Sequence, residues 1–579
     1  MSLTGSLMIG RSALLASQVA LQVTGNNIAN AATPGYHRQR VSMLPAQGSN
    51  IGGNMFVGRG VGVQEIARVV NPALQARVRA SLGQEAAASV ELSVLNTIET
   101  ITNELTGIDL SSGLGAFFNA FSELANNPGG SAVRAAVVEQ GSALAAQIRA
   151  MRADLLRTRE QLENQLQTNV KRADELLTEI ASLNKAIVNS EQGRGEEGNL
   201  RDQRDRLVGE LSGLIDISTV EQSSGAMDIL IDSQPVVLGS VSKGLRVDIR
   251  SEPGQELLEF RVQTRVDPEV VRPRSGTIGA LLEQRQVAVQ GTLKDLDTVA
   301  SQLIFQVNRL HSGGAPASGG WTELTSDLRL PVADRTLALN DPANATLSGL
   351  PFGAKNGSFK VVMRDQNGNS AETTIAVNLD GITNAGTAGF DDDTTAADII
   401  AALDAIPNLN ATILPDGRLR ITTDAGYEVS FGDDTSGALA TLGIAGFFSG
   451  TNGSDIGVRS ELKNDPSLLA VGFESGTNEV ALAIAELRNT ALSELNGRTL
   501  MEQWQNSVER NAVQTRSAQT RLQALSSVRQ SLEAQELSLS GVSLDEESIN
   551  LIAYQQQYQG AARFISVTNE LTAVLLGLV

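Results

Sequence analysis

Two histidines, His37 and His311, are the only imidazole groups that this sequence offers for acid–base or metal chemistry. A general base or a metal centre needs carboxylate or nucleophile partners at defined positions. The zinc-protease motif H-E-x-x-H is absent, and the two histidines lie far apart and share no motif. We therefore expect both histidines to lie in turns, outside any active site.

Two acidic segments contain the residue types of a cation site. In the segment 365–369, glycine stands at position four of a calcium loop instead of position six, and Ala376 replaces the bidentate glutamate. That pattern is more typical of a hairpin turn. The aspartate run 391–393 indicates a solvated loop and a helix cap better than it indicates a weak cation site.

Glycine-rich phosphate loops and the G-x-S-x-G nucleophile elbow are also absent from the sequence. The glycine clusters at 52–62 and 313–320 lie in irregular chain. The sequence therefore predicts no catalytic, cofactor or metal site, and we do not expect an enzyme.

The excess of acidic over basic residues argues against some classes of binding partner. The sequence has 65 acidic and 45 basic residues, which gives a formal net charge of −20. Such a surface repels nucleic-acid phosphates and anionic membrane surfaces, so we expect neither as a partner. No segment reaches the roughly 20 apolar residues that cross a bilayer, so we expect no membrane insertion.

The 579-residue chain contains no cysteine, and only 3% of its residues are aromatic. Disulfides, thiolate metal sites and cysteine nucleophiles are therefore excluded. The scarcity of aromatic anchors favours packing of Ala, Leu, Val and Ile along extended helices over one deep core. Because the N-terminus lacks a basic leader, an apolar core and a cleavage site, we expect export without a cleaved signal peptide.

Both ends of the chain have the spacing of amphipathic helices. The N-terminal pattern covers residues 2–32 and ends at Asn26-Asn27 and the turn 33–36. Its apolar seam comprises Leu7, Leu14, Leu21 and Ile28. The C-terminal pattern covers residues 545–578, and its seam comprises Leu551, Tyr554, Tyr558, Ala561, Ile565, Thr572 and Leu575.

Helical and strand patterns alternate between the two ends. A helical region at 74–189 has apolar residues spaced three, four and seven apart, as in coiled coils and helical hairpins. Helical periodicity returns at 200–214, 277–311, 480–495 and 504–532. Short apolar or alternating runs at 227–231, 235–238, 245–249 and 257–262 predict strands.

The block 313–450 has a different composition, rich in Gly, Asp, Asn and Thr. Residues 359–363 and 375–379 alternate around Asn367-Gly368, which predicts a hairpin. A second hairpin is predicted between 419–421 and 427–431, around the turn 424–426. We therefore predict a β-rich domain inserted between helical parts.

The expected fold class is α+β with several domains: terminal helices forming a coiled coil, a long helical-bundle rod domain, a small β segment and an inserted β-rich domain. The predicted division is 1–73, N-terminal coiled-coil helix and extended segment; 74–216, first part of the rod; 217–263, β segment; 264–312, return of the rod; 313–455, inserted β-rich outer domain; 456–538, last part of the rod; and 539–579, C-terminal coiled-coil helix.

Two motifs resemble a known family. The stretch 20–40, ALQVTGNNIANAATPGYHRQR, resembles the N-terminal motif of flagellar rod, hook and hook-associated proteins. The stretch 540–578, which begins SGVSLDEES and contains Tyr554-Gln555, Tyr558 and Ala561-Ala562, resembles the C-terminal helix of that family. Because both motifs occur at opposite ends of one chain, the chain is identified as a member of that family.

The resemblance implies a function. The long helical region and the stretch 307–314, VNRLHSGG, are similar to the subunit that joins hook and filament. The resemblance implies a structural, extracellular subunit of the bacterial flagellum that forms a junction ring. It also implies export by the flagellar type III apparatus. The implied partners are further copies of the chain, the hook protein, a neighbouring hook-associated protein and an export chaperone at the C-terminal helix.

Two alternatives stay open, because the resemblance is weak over 315–450. The chain could be another rod or hook subunit of the same family. It could also carry a carbohydrate-binding or hydrolytic module in 313–455, although the few aromatics and the missing catalytic constellation argue against this.

The terminal helices are the predicted assembly interface. A helix buries an apolar seam only against a partner, so we expect the two seams to pair with each other and with neighbouring subunits. We also expect them to be poorly ordered in the free monomer, with polar residues at their edges setting the register. The predicted interface residues are Leu7, Leu14, Leu21, Asn26, Asn27, Ile28, Asn30, Pro34, Gly35, Tyr36, Leu551, Tyr554, Gln555, Tyr558, Ile565 and Leu575.

Overall fold

A computed structural model describes residues 3–50, 56–102, 109–251, 258–317 and 319–577. Parts of several predicted segments lie outside these residues. They are Ser2, residues 51–55 of the glycine-rich segment, residues 103–108 of the long helical region, Leu257 of a predicted strand, and Leu578.

Long helices dominate the described part of the chain. The α-helices are α1 (Leu3–Ala29), α2 (Pro72–Thr102), α3 (Leu110–Asn126), α4 (Ser131–Glu191), α5 (Gly198–Leu214), α6 (Gly276–Gln284), α7 (Gln290–Ser312), α8 (Ala345–Ser348), α9 (Ala396–Asp404), α10 (Ala438–Thr441), α11 (Ser460–Asn464), α12 (Glu479–Glu486), α13 (Leu500–Ser540) and α14 (Leu544–Gly577). A π-helical turn, Arg285–Val289, separates α6 from α7.

The strands are short and belong to small antiparallel sheets. They are β1 (Gln39–Pro45), β2 (Ser49–Asn50), β3 (Phe56–Val57), β4 (Val61–Arg68), β5 (Ser218–Glu221), β6 (Met227–Ile231), β7 (Gln234–Leu238), β8 (Val241–Ser242), β9 (Leu245–Arg250), β10 (Glu259–Thr264), β11 (Val270–Val271), β12 (Glu323–Arg329), β13 (Gly357–Asp365), β14 (Ser370–Val377), β15 (Leu409–Ile413), β16 (Arg418–Thr423), β17 (Tyr427–Gly432), β18 (Phe448–Ser449) and β19 (Gly457–Val458). The predicted α+β fold class is confirmed.

Capping side chains set two of the helix boundaries. Asp109 precedes α3, and its Oδ1 accepts a hydrogen bond from the backbone N–H of Ser112 at 2.7 Å. This bond satisfies one of the N–H groups that the first helical turn leaves free. Thr395 and Asp398 form a reciprocal capping box at the start of α9.

The chain divides into two compact units. The first comprises Met1–Ser93, Gln161–Gln284 and Arg516–Val579. Within it, α1 packs along α14, and Leu74 and Val78 of α2 form an apolar cluster with Leu532 of α13. The strands of this unit form sheets of order β1-β4, β2-β3, β5-β6-β7-β8 and β11-β10-β9.

The second unit comprises Val94–Glu160 and Arg285–Thr515. Several of its phenylalanines gather where α3 meets the β18 region. The rings of Phe117 and Phe121 lie 5.7 and 5.6 Å from the ring of Phe447, centroid to centroid. Tilted and edge-to-face contacts at these distances are favourable.

The inserted β-rich block lies in the second unit and has its own apolar core. Two sheets, of order β12-β16-β15 and β14-β13-β17, contribute the core side chains together with α9. Its fully buried members include Phe359, Val361, Ile399 and Ile421. The seven-segment division of the chain stays a prediction.

The first predicted hairpin is confirmed, and the second is wrong. β13 and β14 pair antiparallel around Gly368, which has φ +84°. β16 and β17 do not pair in this way, because β16 lies between β12 and β15 whereas β17 pairs with β13. Gly426 in the turn between them has φ +88°, and this left-handed conformation directs the chain from one sheet into the other.

Two further expectations are corrected. His311 does not lie in a turn: it occupies the last turn of α7 and is buried. The aspartate run 391–393 forms a loop, as predicted, but Thr395 caps the following helix. Asp393 is also buried and accepts a hydrogen bond from Asn340 Nδ2 at 2.7 Å, so it is not solvated.

No helix in the part of the chain that the structure describes is long and apolar enough to cross a membrane.

Candidate functional site

The N-terminal motif ends α1 and turns the chain. Asn30 donates from its side-chain Nδ2 to the backbone oxygen and to the side-chain Oδ1 of Asn26, both at 3.0 Å. Thr33 N–H donates to Asn30 O at 2.9 Å. Gly35 has φ +76°, a conformation that glycine adopts without the steric cost of a side chain. The asparagines and the glycine thus fix the turn.

Asn27 links this turn to the other end of the chain. Its Oδ1 accepts hydrogen bonds from the Tyr36 hydroxyl at 2.8 Å and from Gln39 N–H at 3.0 Å. Its Nδ2 donates to Gln39 O at 2.9 Å and to Glu547 Oε2 at 3.1 Å. Asn27 is only 1% exposed, so these bonds satisfy an amide that would otherwise be buried at a cost.

Glu547 receives a second set of hydrogen bonds from Arg38. The Nε and a terminal nitrogen of Arg38 lie 2.8 Å from Glu547 Oε1, and its other terminal nitrogen lies 2.8 Å from Glu546 Oε2. The Arg38 N–H also donates to Ser540 O at 2.9 Å. Glu547 is 2% exposed, and charge-assisted bonds of this kind are strong in a desolvated position. We call Asn27, Tyr36, Arg38, Glu546 and Glu547 the terminal network.

The Tyr36 hydroxyl stays protonated within the terminal network. Burial, followed by the negative charge of Asp202, raises its pKa to about 12. The phenol therefore remains the donor to Asn27 Oδ1 at any physiological pH.

The neighbouring residue, His37, belongs to a buried charge cluster. Its Nδ1 lies 2.7 Å from Asp202 Oδ1 on α5, and its N–H donates to Asp202 Oδ2 at 3.1 Å. Arg68 of β4 donates to Asp202 at 2.7 Å and to Asp205 at 2.8 Å. Burial opposes the charge of Arg68, but pairing with Asp205 and Asp202 raises its pKa above the ordinary value.

The same cluster could be mistaken for a metal site, because ligand atoms of His37, Asp202 and Asp205 lie within 4.8 Å of one another. The guanidinium of Arg68 already bridges the two carboxylates and supplies the positive charge that they need. Buried ion pairs of this geometry fix the relative position of elements. The cluster therefore anchors the turn 33–36 to α5.

The helices α1 and α14 approach closely at a glycine. A Cβ atom at Gly10 would lie 2.7 Å from Ile565 Cγ1 and 3.0 Å from Phe564 Cδ1. Ala16, Ala20 and Val23 of α1 are buried, as are Ala561 and Thr568 of α14. Small residues thus allow the two backbones to pack side by side.

A second apolar stripe of α14 faces away from this contact. Because an α-helix turns by 100° per residue, this stripe lies on the side of α14 opposite Ile565 and Ala561. Its exposed members are Ile549, Ile552, Val567, Leu571 and Val574. We call this stripe the outer face of α14. Its residues are 53–67% exposed, which is unusual for a row of large apolar side chains.

Comparison with known proteins finds similarity to flagellar proteins in three segments of the chain. The model of the flagellar hook-associated protein FlgK helical domain matches residues 95–323. The model of the flagellar basal body rod FlgEFG protein C-terminal region matches 533–578, and that of the flagella basal body rod protein matches 7–37.

Similarity to curated relatives extends along the whole chain. Flagellar hook-associated protein 1 of Bacillus subtilis is 25% identical over 598 aligned residues, covering 98% of this chain and 96% of the relative. The proteins of the same name from Salmonella typhimurium and Escherichia coli are 25% and 23% identical, each with 98% of both chains covered. The chain is thus similar to flagellar hook-associated protein 1 along nearly its whole length.

The fold is that of a solved member of this group. The flagellar hook junction protein FlgK from Burkholderia pseudomallei matches with a TM-score of 0.50 at 15% identity, over 80% of this chain and 100% of that structure. The family consists of structural flagellar proteins.

The structure places the interface residues predicted from the sequence in three different settings. Asn26, Asn27, Asn30 and Tyr36 make hydrogen bonds within the chain. Leu7, Leu14, Leu21, Ile28, Leu551, Tyr554 and Ile565 are half-buried. Pro34, Gly35, Gln555, Tyr558 and Leu575 are exposed. Their role between subunits stays a prediction.

Sequence reasoning missed Arg38, Glu547 and the cluster around His37 as site residues. A signal for Arg38 and Glu547 was present, since both lie inside the two family motifs and have opposite charge. No local signal marks Asp202 as the partner of His37, because 165 positions separate the two residues.

Proposed function

We propose that this chain is the structural subunit that joins hook and filament in the bacterial flagellum, where copies of it form a ring. The observation that carries the proposal is the similarity to flagellar hook-associated protein 1 along 98% of the chain. The paired terminal helices support it, because the two segments that match flagellar rod families are the ones that the terminal network joins.

The surface for assembly is the outer face of α14 together with the exposed residues of the turn 33–36. The inner seam of α14 is already covered by α1, so the outer face is the apolar surface left for a neighbouring subunit. Rows of exposed apolar side chains of this kind mark protein contacts. The half-buried seam residues predicted from the sequence then set the distance between α1 and α14.

The partners are neighbouring copies, the hook protein on one side and a second hook-associated protein on the other. An export chaperone covers α14 before assembly, because its exposed apolar residues would otherwise associate prematurely. Export proceeds through the flagellar type III apparatus. The absence of cysteine fits such a route, since the unfolded chain needs no redox chemistry to refold.

Immunogold electron microscopy tests the location. An antibody to residues 340–450, applied to intact flagella, is expected to label a narrow band at the boundary of hook and filament. Label spread along the hook would assign the chain to the hook instead. A strain lacking the chain is expected to build hooks without filaments, and normal filaments in that strain would contradict the proposal.

A matched pair of substitutions tests the outer face. Val567→Asn lies on the outer face and is expected to abolish filament attachment while leaving the unfolding of the purified chain unchanged. Val513→Asn, at an exposed valine of α13, is the control and is expected to assemble normally. Equal assembly of both variants would remove the outer face from the interface.

A further inference from the structure

A cavity of about 520 Å³ lies in the first unit, between α2, α5, α13 and the turn that follows α1. Its apolar wall comprises Val78, Leu82 and Leu537, and its polar lining includes His37, Arg79 and Arg206. A volume of this size lies in the range of ordinary ligand sites. Its walls are helices and a hydrogen-bonded turn, so its shape is fixed before anything binds.

Arg79 is a half-buried cation in this cavity. Among the residues that the structure describes, its guanidinium makes neither a hydrogen bond nor an ion pair. Burial lowers the pKa of Arg79 below the ordinary value, and attraction to Asp205 and Glu536 offsets this effect only in part. A partly desolvated guanidinium without a partner costs free energy, so this position favours an incoming anion.

The carboxylates around the cavity do not neutralise Arg79. Asp205 is held by Arg68 at 2.8 Å, and Glu533 is held by Arg529 at 2.6 Å. Glu536 is the remaining carboxylate of the lining, and no hydrogen bond to its side chain is present in the described part of the chain. Glu536 is thus the internal competitor for Arg79.

We propose that this cavity receives an acidic side chain of a second copy of this chain, whose carboxylate pairs with Arg79 while neighbouring apolar groups pack on Val78, Leu82 and Leu537. This inference rests on the proposed function, because in a ring one surface of each copy meets a different surface of the next copy. A second copy can supply the carboxylate, since the chain has 65 acidic residues against 45 basic ones. Leu537, which is 72% exposed at the cavity, becomes covered in the pair.

Photo-crosslinking in isolated flagella tests the occupant. Benzoylphenylalanine placed at position 537, at the cavity, is expected to give a product of twice the chain mass. The adduct is expected to map by mass spectrometry to an acidic segment of the other copy. The same probe at position 539, which is exposed on α13 but does not line the cavity, is the control and is expected to give at most a trace of that product.

The role of Arg79 is tested in the same flagella. Arg79→Gln is expected to lower the crosslink yield about ten-fold, the effect of losing one charge-assisted contact. Arg77→Gln changes an exposed arginine of the same helix and is expected to leave the yield unchanged. An unaltered yield in the Arg79→Gln flagella would overturn the proposal.

Three other outcomes also overturn it. A crosslink to a different flagellar protein would assign the cavity to that partner. A crosslink confined to one copy, with a higher yield in Glu536→Gln than in the unmodified chain, would show that Arg79 pairs with Glu536. No crosslink at position 537 would leave the cavity without an occupant. Failure of the proposed function is recognised separately, because the antibody to residues 340–450 would then find no chain at the hook–filament boundary.

Discussion

At the scale of single residues, the terminal network depends on Glu547 more than on its neighbour. Glu547 is 2% exposed and pairs with Arg38 and Asn27, whereas the side chain of Glu546 is 62% exposed. Glu547→Gln removes the buried charge and leaves Arg38 partly unpaired. We expect it to cost about 1–3 kcal/mol of local stability, seen as faster amide hydrogen exchange at residues 26–40. Glu546→Gln is the control, with an expected cost below about 1 kcal/mol.

His311 makes the second unit sensitive to acid. Its Nδ1 lies 2.7 Å from Ala445 O, and its Nε2 accepts from Ala470 N–H at 3.1 Å, so the folded chain holds the neutral ring. Burial is the main cause that lowers its pKa from 6.5 to about 4, with a smaller contribution from Arg459. The unfolded chain therefore binds a proton at a higher pH than the folded chain does.

The sign of the pH dependence follows from this lowered pKa. The stability contributed by neutral His311 is fully present above about pH 6.5 and is lost as the pH falls towards 4, by about 3 kcal/mol in total. Denaturant unfolding of the unmodified chain and of the His311→Asn variant, measured between pH 4 and 7.5, checks this pH dependence of stability. The asparagine variant is expected to be less stable at pH 7 and to show a flatter profile. Parallel profiles would contradict the assignment.

At the scale of elements, the pairing of α1 with α14 depends on the absence of a side chain at Gly10. Gly10→Ala places a methyl group 2.7 Å from Ile565 Cγ1, so the side chains of α14 or the helices themselves must shift, at a cost of about 1–3 kcal/mol. Gly25→Ala is the matched control on α1, because a Cβ there meets nothing within 4 Å and alanine favours helix. Faster hydrogen exchange of α1 is expected in Gly10→Ala alone.

The same hydrogen-exchange measurement tests whether the terminal helices are ordered in the free monomer. If all three proteins exchange α1 amides equally fast, the two helices are not paired in the free chain. The expectation that the terminal helices are poorly ordered in the monomer would then gain support. The Gly10→Ala comparison would have to be repeated in assembled flagella.

Most elements could be predicted because their signals are local. The heptad spacing of the α1 and α14 seams and the Asn367-Gly368 turn are each contained in a few consecutive residues. The pairing of β16 with β12 and β15 is not local, since Leu324 lies opposite Ile421, almost a hundred positions later. The buried setting of His311 also depends on distant groups, Ala445 and Ala470. Such features require the tertiary structure.

At the scale of the whole molecule, the contacts of the candidate site could not be predicted from the sequence either, because they join distant parts of the chain. The family motifs mark which residues matter, but not that Asn27 bonds to Glu547 across 520 positions. The outer face of α14 was also not separated from its inner seam, because both faces are apolar in sequence. Only the position of α1 decides which face remains open.

The inserted β-rich block is expected to fold without the rest of the chain. Its core side chains come from residues 321–445, apart from Ala470. Residues near both ends, Trp321 and Gly446, line one cavity, so the ends lie close together and a fragment need not strain to close. We expect the fragment 319–446 to unfold cooperatively.

Tryptophan fluorescence checks this expectation with a single probe. The chain has two tryptophans, and the fragment contains only Trp321, which is 6% exposed. A folded fragment should therefore emit at short wavelength and shift to long wavelength in one denaturant transition. Phe359→Ala removes a fully buried ring and should lower the stability by about 3–5 kcal/mol, whereas Val332→Ala, at a 75% exposed position, should change it by less than about 0.5 kcal/mol. Long-wavelength emission without denaturant would mean that the block needs the helices around it, because its apolar core alone would not then offset the conformational entropy of ordering these strands.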